Sequence, residues 1–137
     1  MDRLLTRYSP YIYAILRIIA GLMFALHGTQ KVFGFPGAKP PVPLTSLIGV
    51  GGAIELITGL LIALGLLTHY AAFIASGEMA VAYFMLHASK GFLPIVNNGE
   101  LAVLYCFVFL YIAARGAGIW GIDGQLGRTK ANSATHT

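Results

Sequence analysis

Charge is what this 137-residue chain has least of: Lys, Arg, Asp and Glu together make up 10% of it. A soluble domain carries about 25% charged residues, so an aqueous globule with a conventional polar shell is excluded. Cysteine is nearly absent. The single Cys106 rules out an intramolecular disulfide, a CxxC redox pair and a paired-thiolate metal site, so any redox chemistry has to come from a cofactor or a partner chain. The basic residues are scattered, and a net charge of +4 draws no stripe for nucleic acid. Serines are few, and none sits in a nucleophile elbow.

Hydrophobic residues fill that space, at 57% of the chain. Apolar runs near or above about 18 residues recur, enough to cross about 30 Å of hydrocarbon at about 1.5 Å per helical residue. The pattern predicts an all-α integral membrane four-helix bundle of antiparallel spans, over residues 11–33, 44–67, 68–88 and 98–117 of a domain covering 11–120. A basic lead over 1–10 precedes it, and a polar tail over 121–137 follows, expected to be disordered. The first run ends in His27-Gly-Thr-Gln-Lys31 rather than at a small-residue cleavage site, so it reads as a retained span. Gly51, Glu55 and Gly59 repeat every four residues, and the glycines are expected to let helices approach closely in lipid. Arg3, Arg7, Arg115, Arg128 and Lys130 on one side against Lys31, Lys39 and Lys90 on the other favour cytoplasmic termini.

The few polar residues carry the functional signal, because a polar group in an apolar helix is costly without a partner or a task. They concentrate in Glu78–Glu100, which holds two carboxylates, His87, Pro94 and an Asn-Asn-Gly turn. With four spans, His27, Lys31, His87, Asn97 and Glu100 fall in one layer near the outer helix ends. Arg17, Glu55 and Glu78 fall in a deeper one, where Arg17 is expected to neutralise one glutamate. The remaining carboxylate would be protonated, bind a ligand or meet Lys31. Asn97 with Glu100 has capping-box spacing for the fourth span. His69 reads as a solvated turn residue, and the tyrosines and Trp120 as an interfacial belt. His27, His87 and Glu100 match a two-histidine, one-carboxylate iron site in composition only, with no local spacing signature, so neither metal nor haem is expected.

Arg17-x3-Gly21, then His27-Gly28-x2-Lys31-x2-Gly34, resembles the opening of the DoxX family of small membrane proteins. Glu55-x3-Gly59 with Gly65 and Thr68 is similar to its second helix. Glu78, His87, Pro94 and Asn97-x-Gly99-Glu100 are similar to its third helix and the entry to its fourth, and the likeness runs over residues 11–123 through Gly118 and Asp123. The resemblance implies a four-helix protein of the bacterial inner membrane that serves as a membrane subunit of an oxidoreductase. Relatives include a small subunit of an archaeal thiosulfate:quinone oxidoreductase.

Residues and resemblance together give a quinone-associated subunit. His27, Lys31, His87, Asn97 and Glu100 would hold the head group, and Arg17, Glu55 and Glu78 would move or balance protons. Membrane lipid, a redox partner protein or a second copy of the chain are the expected partners. The alternative is a carrier, scaffold or assembly partner that binds a lipid-like or protein ligand without turnover. A proton-coupled transporter ranks below both, because four spans are few for that task.

Overall fold

The computed structural model describes residues 1–37 and 39–127, and among these no strand occurs. Helix α1 is Asp2–Phe33, α2 Leu47–Leu64 and α3 Thr68–Ala82, continued by a π-turn over Tyr83–His87 and a 3₁₀ turn over Ala88–Lys90. A short α4, Pro94–Asn97, precedes α5, Glu100–Arg115. A last helical stretch, α6, covers residues 122–127.

Local chemistry sets the ends. Gly34 adopts the left-handed conformation (φ 71°) and closes α1 with its N–H on the Gln30 carbonyl. The Ser46 hydroxyl accepts from the Gly49 N–H to start α2, and left-handed Gly65 stops it. The first helix begins at residue 2 rather than 11, because Pro10 removes one backbone donor without ending it. That extension carries the basic lead past the end of α2.

At the α1–α2 seam the two backbones nearly touch. A Cβ on Gly28 would lie 2.4 Å from the Leu56 nitrogen, and one on Gly59 2.5 Å from the Ala25 nitrogen. Gly21 and Gly28 on α1 meet Gly52 and Gly59 on α2, each pair about two helical turns apart. The expected glycine stripe is therefore corrected: Gly52 shares the seam with Gly59, and Gly51 faces Glu78 on α3. Since Gly21 meets Gly59 while Gly28 meets Gly52, α1 and α2 run in opposite directions. So do α3 and α5, where His69 bonds the Ala113 carbonyl and Ser76 that of Cys106. Phe24 joins the pairs, packed against Tyr105 and Phe109 of α5.

Polarity is inverted relative to a soluble bundle. Arg17 and Glu55 are 0% and 2% exposed, whereas Phe73 and Phe107 are 66% and 64% exposed. An apolar outer face with polar groups inside suits hydrocarbon solvent. Three helical segments, Arg3–Phe33, Leu47–Leu64 and Thr68–Lys90, are long and apolar enough to cross a membrane. The fourth expected span is shorter than predicted. The 16 residues of α5 cover about 24 Å, against about 30 Å of hydrocarbon, because Gly99 and Gly116 bound it.

Candidate functional site

The structure re-sorts the two polar layers. Arg17 does not meet Glu55 or Glu78. Its Nη1 donates to the carbonyls of Ile62 (2.5 Å) and Ala63 (2.7 Å), and its Nη2 to that of Trp120 (3.2 Å). The guanidinium thus satisfies the open carbonyl end of α2, where a cation is also favoured by the helix dipole. The glycine seam dictates this. It sets Gly21 beside Ala63 and Gly28 beside Leu56, which leaves Arg17 about 21 Å along α1 from Lys31.

Lys31 takes the place expected for Arg17. Its Nζ donates to Glu55 Oε1 at 2.6 Å, the only salt bridge among the described residues. The lysine stem lies against Gly52, where a Cβ would come 2.7 Å from Lys31 Cβ. Glu55 is 2% exposed, and its Oε2 has no hydrogen-bond partner among the described residues. The buried Glu78 Oε2, across Gly51, and the buried Tyr105 hydroxyl are likewise unpartnered. One cation and two carboxylates from three helices therefore meet in one apolar region, with polar capacity unspent.

The histidines sit on the far side of that ion pair. His27 Nδ1 lies 2.8 Å from the Met23 carbonyl, and His87 Nδ1 lies 3.1 Å from that of Asn97. A carbonyl only accepts, so in each ring Nδ1 carries the proton, and the neutral ring keeps Nε2 as an acceptor. His87 closes the π-turn and stacks on Tyr83 at 6.4 Å. Such turns are frequent at functional sites, and this one runs from Tyr83 to His87, just beyond Glu78 in the chain.

Asn97 and Glu100 depart from the expected capping box. Gly99 is the N-terminal boundary of α5 and makes no side-chain cap. Asn97 is buried and instead ties the preceding loop together. Its Nδ2 donates to the carbonyl of Gly91 (2.6 Å) and to the Tyr83 hydroxyl (3.2 Å), while its Oδ1 accepts from the Gly99 N–H (2.8 Å). The Tyr83 hydroxyl donates to the Phe92 carbonyl. Glu100 is exposed in the first turn of α5, where its charge suits the helix N-terminus.

Two cavities share the Lys31–Glu55 wall. One, of about 330 Å³, lies between α2 and α3 and is lined by Gly51, Ile54, Ile74, Glu78 and Met85 among others. The second, of about 220 Å³, lies among α1, α3 and α5, with His27, His87, Asn98 and Tyr105 on its walls. Neither is lined by Arg17, Asn97 or Glu100. No cluster of three metal-ligating side chains occurs among the described residues.

Sequence reasoning put Tyr105 with the interfacial tyrosines and gave Asp123 no structural role. Tyr105 shares the buried face of α5 with Ala102, Phe109 and Ile112, a helical spacing that a uniformly apolar run conceals. Asp123 receives the N–H groups of Leu67 (2.9 Å) and Thr68 (2.8 Å) and the Thr68 hydroxyl (2.8 Å), capping α3 from a distant part of the chain. Burial alone would raise its carboxyl, but the bonds from Thr68 and Leu67 outweigh that and hold it below the usual carboxylate range. Residues 121–127 are thus tethered, and the rest of the tail, with Arg128 and Lys130, lies outside the described residues. His69 is exposed, as expected, and its Nδ1 also lies 2.6 Å from the Ala113 carbonyl.

The chain has relatives that match it over most of its length. An uncharacterized protein of Haemophilus influenzae is 48% identical, over 88% of this chain and 95% of its own length. A second uncharacterized protein of that organism is 29% identical, over 69% of this chain and 61% of its own. The "Putative oxidoreductase CatD" of Bacillus subtilis is 27% identical, over 86% and 89%. No solved structure matches. Residues 12–88, from α1 through the π-turn, match the DoxX family, and the chain belongs to that family.

Proposed function

We propose that this protein is a four-span, inner-membrane subunit of a quinone-linked redox complex, with cytoplasmic termini, and that the cavity among α1, α3 and α5 receives the quinone head group. The observation that carries the reading is the make-up of that cavity. Two histidines on different helices keep their Nε2 atoms as acceptors, beside the Lys31 ammonium and the unpartnered Tyr105 hydroxyl. A quinone carbonyl needs donors, which Lys31 and Tyr105 supply. A quinol hydroxyl needs acceptors, which the imidazoles supply.

Reduction of a quinone to a quinol consumes two electrons and two protons. A redox partner protein would deliver the electrons, and the name of the Bacillus relative supports an oxidoreductase setting. Glu55 and Glu78 would exchange the protons, a reading supported by the buried oxygen that each leaves unpartnered among the described residues. Arg17 stands apart from this cavity, with its Nη1 and Nη2 donating to backbone carbonyls, which supports a packing role for it.

The test is quinone retention and quinone-dependent electron transfer in membranes of the H27A/H87A variant. Loss of both, with the helical fold kept by circular dichroism, is expected. Unchanged electron transfer in that variant would end this reading.

A further inference from the structure

The larger of these two cavities, between α2 and α3, has no role in head-group recognition as assigned above. Its volume of about 330 Å³ falls at the lower end of small-molecule sites. Its walls are apolar apart from Lys31, Glu55 and Glu78. Ile74 and Met85 at its rim are 52% and 54% exposed on the outer surface, so a ligand reaches it sideways, from the hydrocarbon.

The polar end of the cavity is unbalanced. Among the described residues, Glu55 uses one oxygen on Lys31 and leaves Oε2 unpartnered, and the buried Oε2 of Glu78 is also unpartnered. With both carboxylates ionised, one ammonium faces two negative charges. Excess charge in an apolar interior is strongly unfavourable unless it is compensated. An anion would worsen the imbalance, and a neutral alcohol would supply a donor without charge. A second ammonium supplies both, with three N–H groups for the waiting oxygens.

We propose that the α2–α3 cavity binds an amphiphile that ends in a primary ammonium, whose N–H groups bridge Glu55 and Glu78. The hydrocarbon lies against Ile54, Ile74 and Met85. A proton and the ammonium compete for the same negative charge, so binding releases a proton. The titratable groups facing that charge are Lys31 from α1, Glu55 from α2, Glu78 from α3 and Tyr105 from α5, with His27 and His87 across the Lys31–Glu55 wall. The site does not rest on the quinone reading, since His27 and His87 do not line it.

Titration of the full chain in a neutral detergent with octylamine, octanol and octanoate tests this. One octylamine per chain is expected, at least about tenfold tighter than octanol, with octanoate unbound. Affinity should rise by up to about tenfold per pH unit wherever a proton is displaced. The E78Q variant should lose at least about tenfold in octylamine affinity. The I74W variant keeps every carboxylate but blocks the rim, and should lose it too. The H27A/H87A variant should still bind the amine, whatever becomes of the quinone. Displacement of octylamine by a short-chain phosphatidylethanolamine would make the source an aminolipid head group, and failure to displace it a free alkylamine; the ammonium site stands in both cases. Equal affinity for octanol and octylamine, or octylamine binding that survives in both E78Q and I74W, would overturn the proposal.

Discussion

Replacing Lys31 by Met probes the centre on which both cavities depend. Methionine keeps the hydrocarbon stem against Gly52 and removes only the ammonium that bonds Glu55 Oε1 at 2.6 Å. Glu55, 2% exposed, is then left with neither oxygen paired. Breaking a buried pair in this way costs about 3–5 kcal/mol. The lysine side chain is 33% exposed, so water relieves part of the strain and about 3 kcal/mol is expected. The E55Q variant leaves the charge on the more open partner and should cost about 1 kcal/mol. With both changes no buried charge is orphaned, and the K31M/E55Q variant should cost about 2 kcal/mol in total, a coupling of about 2 kcal/mol.

Denaturing-detergent titration of the four proteins, followed by far-ultraviolet circular dichroism, measures the cycle. If the double variant costs the sum of the single ones within about 0.5 kcal/mol, the two groups are independent. The ion pair is then not the centre of the site.

Tyr105→Phe removes a hydroxyl with no partner among the described residues, so stability should stay within about 0.5 kcal/mol while quinone-dependent electron transfer falls; a large loss of stability would show that the hydroxyl is bonded. Gly59→Leu should separate α1 from α2 and lower the unfolding midpoint sharply, whereas Gly77→Ala, with nothing within 4 Å of the new methyl, should stabilise α3 by about 0.5–1 kcal/mol; the same titration ranks the two. Asp123 has a folded pKa below its unfolded value. Its contribution is therefore fully present above about pH 4 and lost as pH falls through the lower folded value. Asp123→Asn should remove that acid sensitivity and cost about 1 kcal/mol at neutral pH, and unfolding midpoints from pH 2 to 6 in both proteins decide it.

The all-helical, lipid-suited class of this protein was determined by the sequence, because it depends on composition and run length. At 10% charged residues and 57% hydrophobic residues, no aqueous core-and-shell arrangement satisfies the chain. The break at Gly34 was readable too, because glycine takes the left-handed backbone at little cost, whereas the stop at Gly65 was not, since the expected span ran on to residue 67. The concentration of polar side chains in few places was equally visible, since each costs free energy in an apolar helix.

Partner choice was decided only by tertiary structure. Arg17 and Lys31 lie on the same helix, and which of them meets Glu55 depends on the register between α1 and α2. That register is set where Gly21 and Gly28 lock against Gly59 and Gly52 with backbones nearly touching, a pairing between helices that no single-helix pattern contains. The same holds for Asp123, whose partners Leu67 and Thr68 come from a distant turn. It holds again for Tyr105, whose buried face appears once α1 and α3 pack against α5. Helix type follows from local backbone and solvent preferences. The identity of a charge's neighbour follows from how two surfaces interlock.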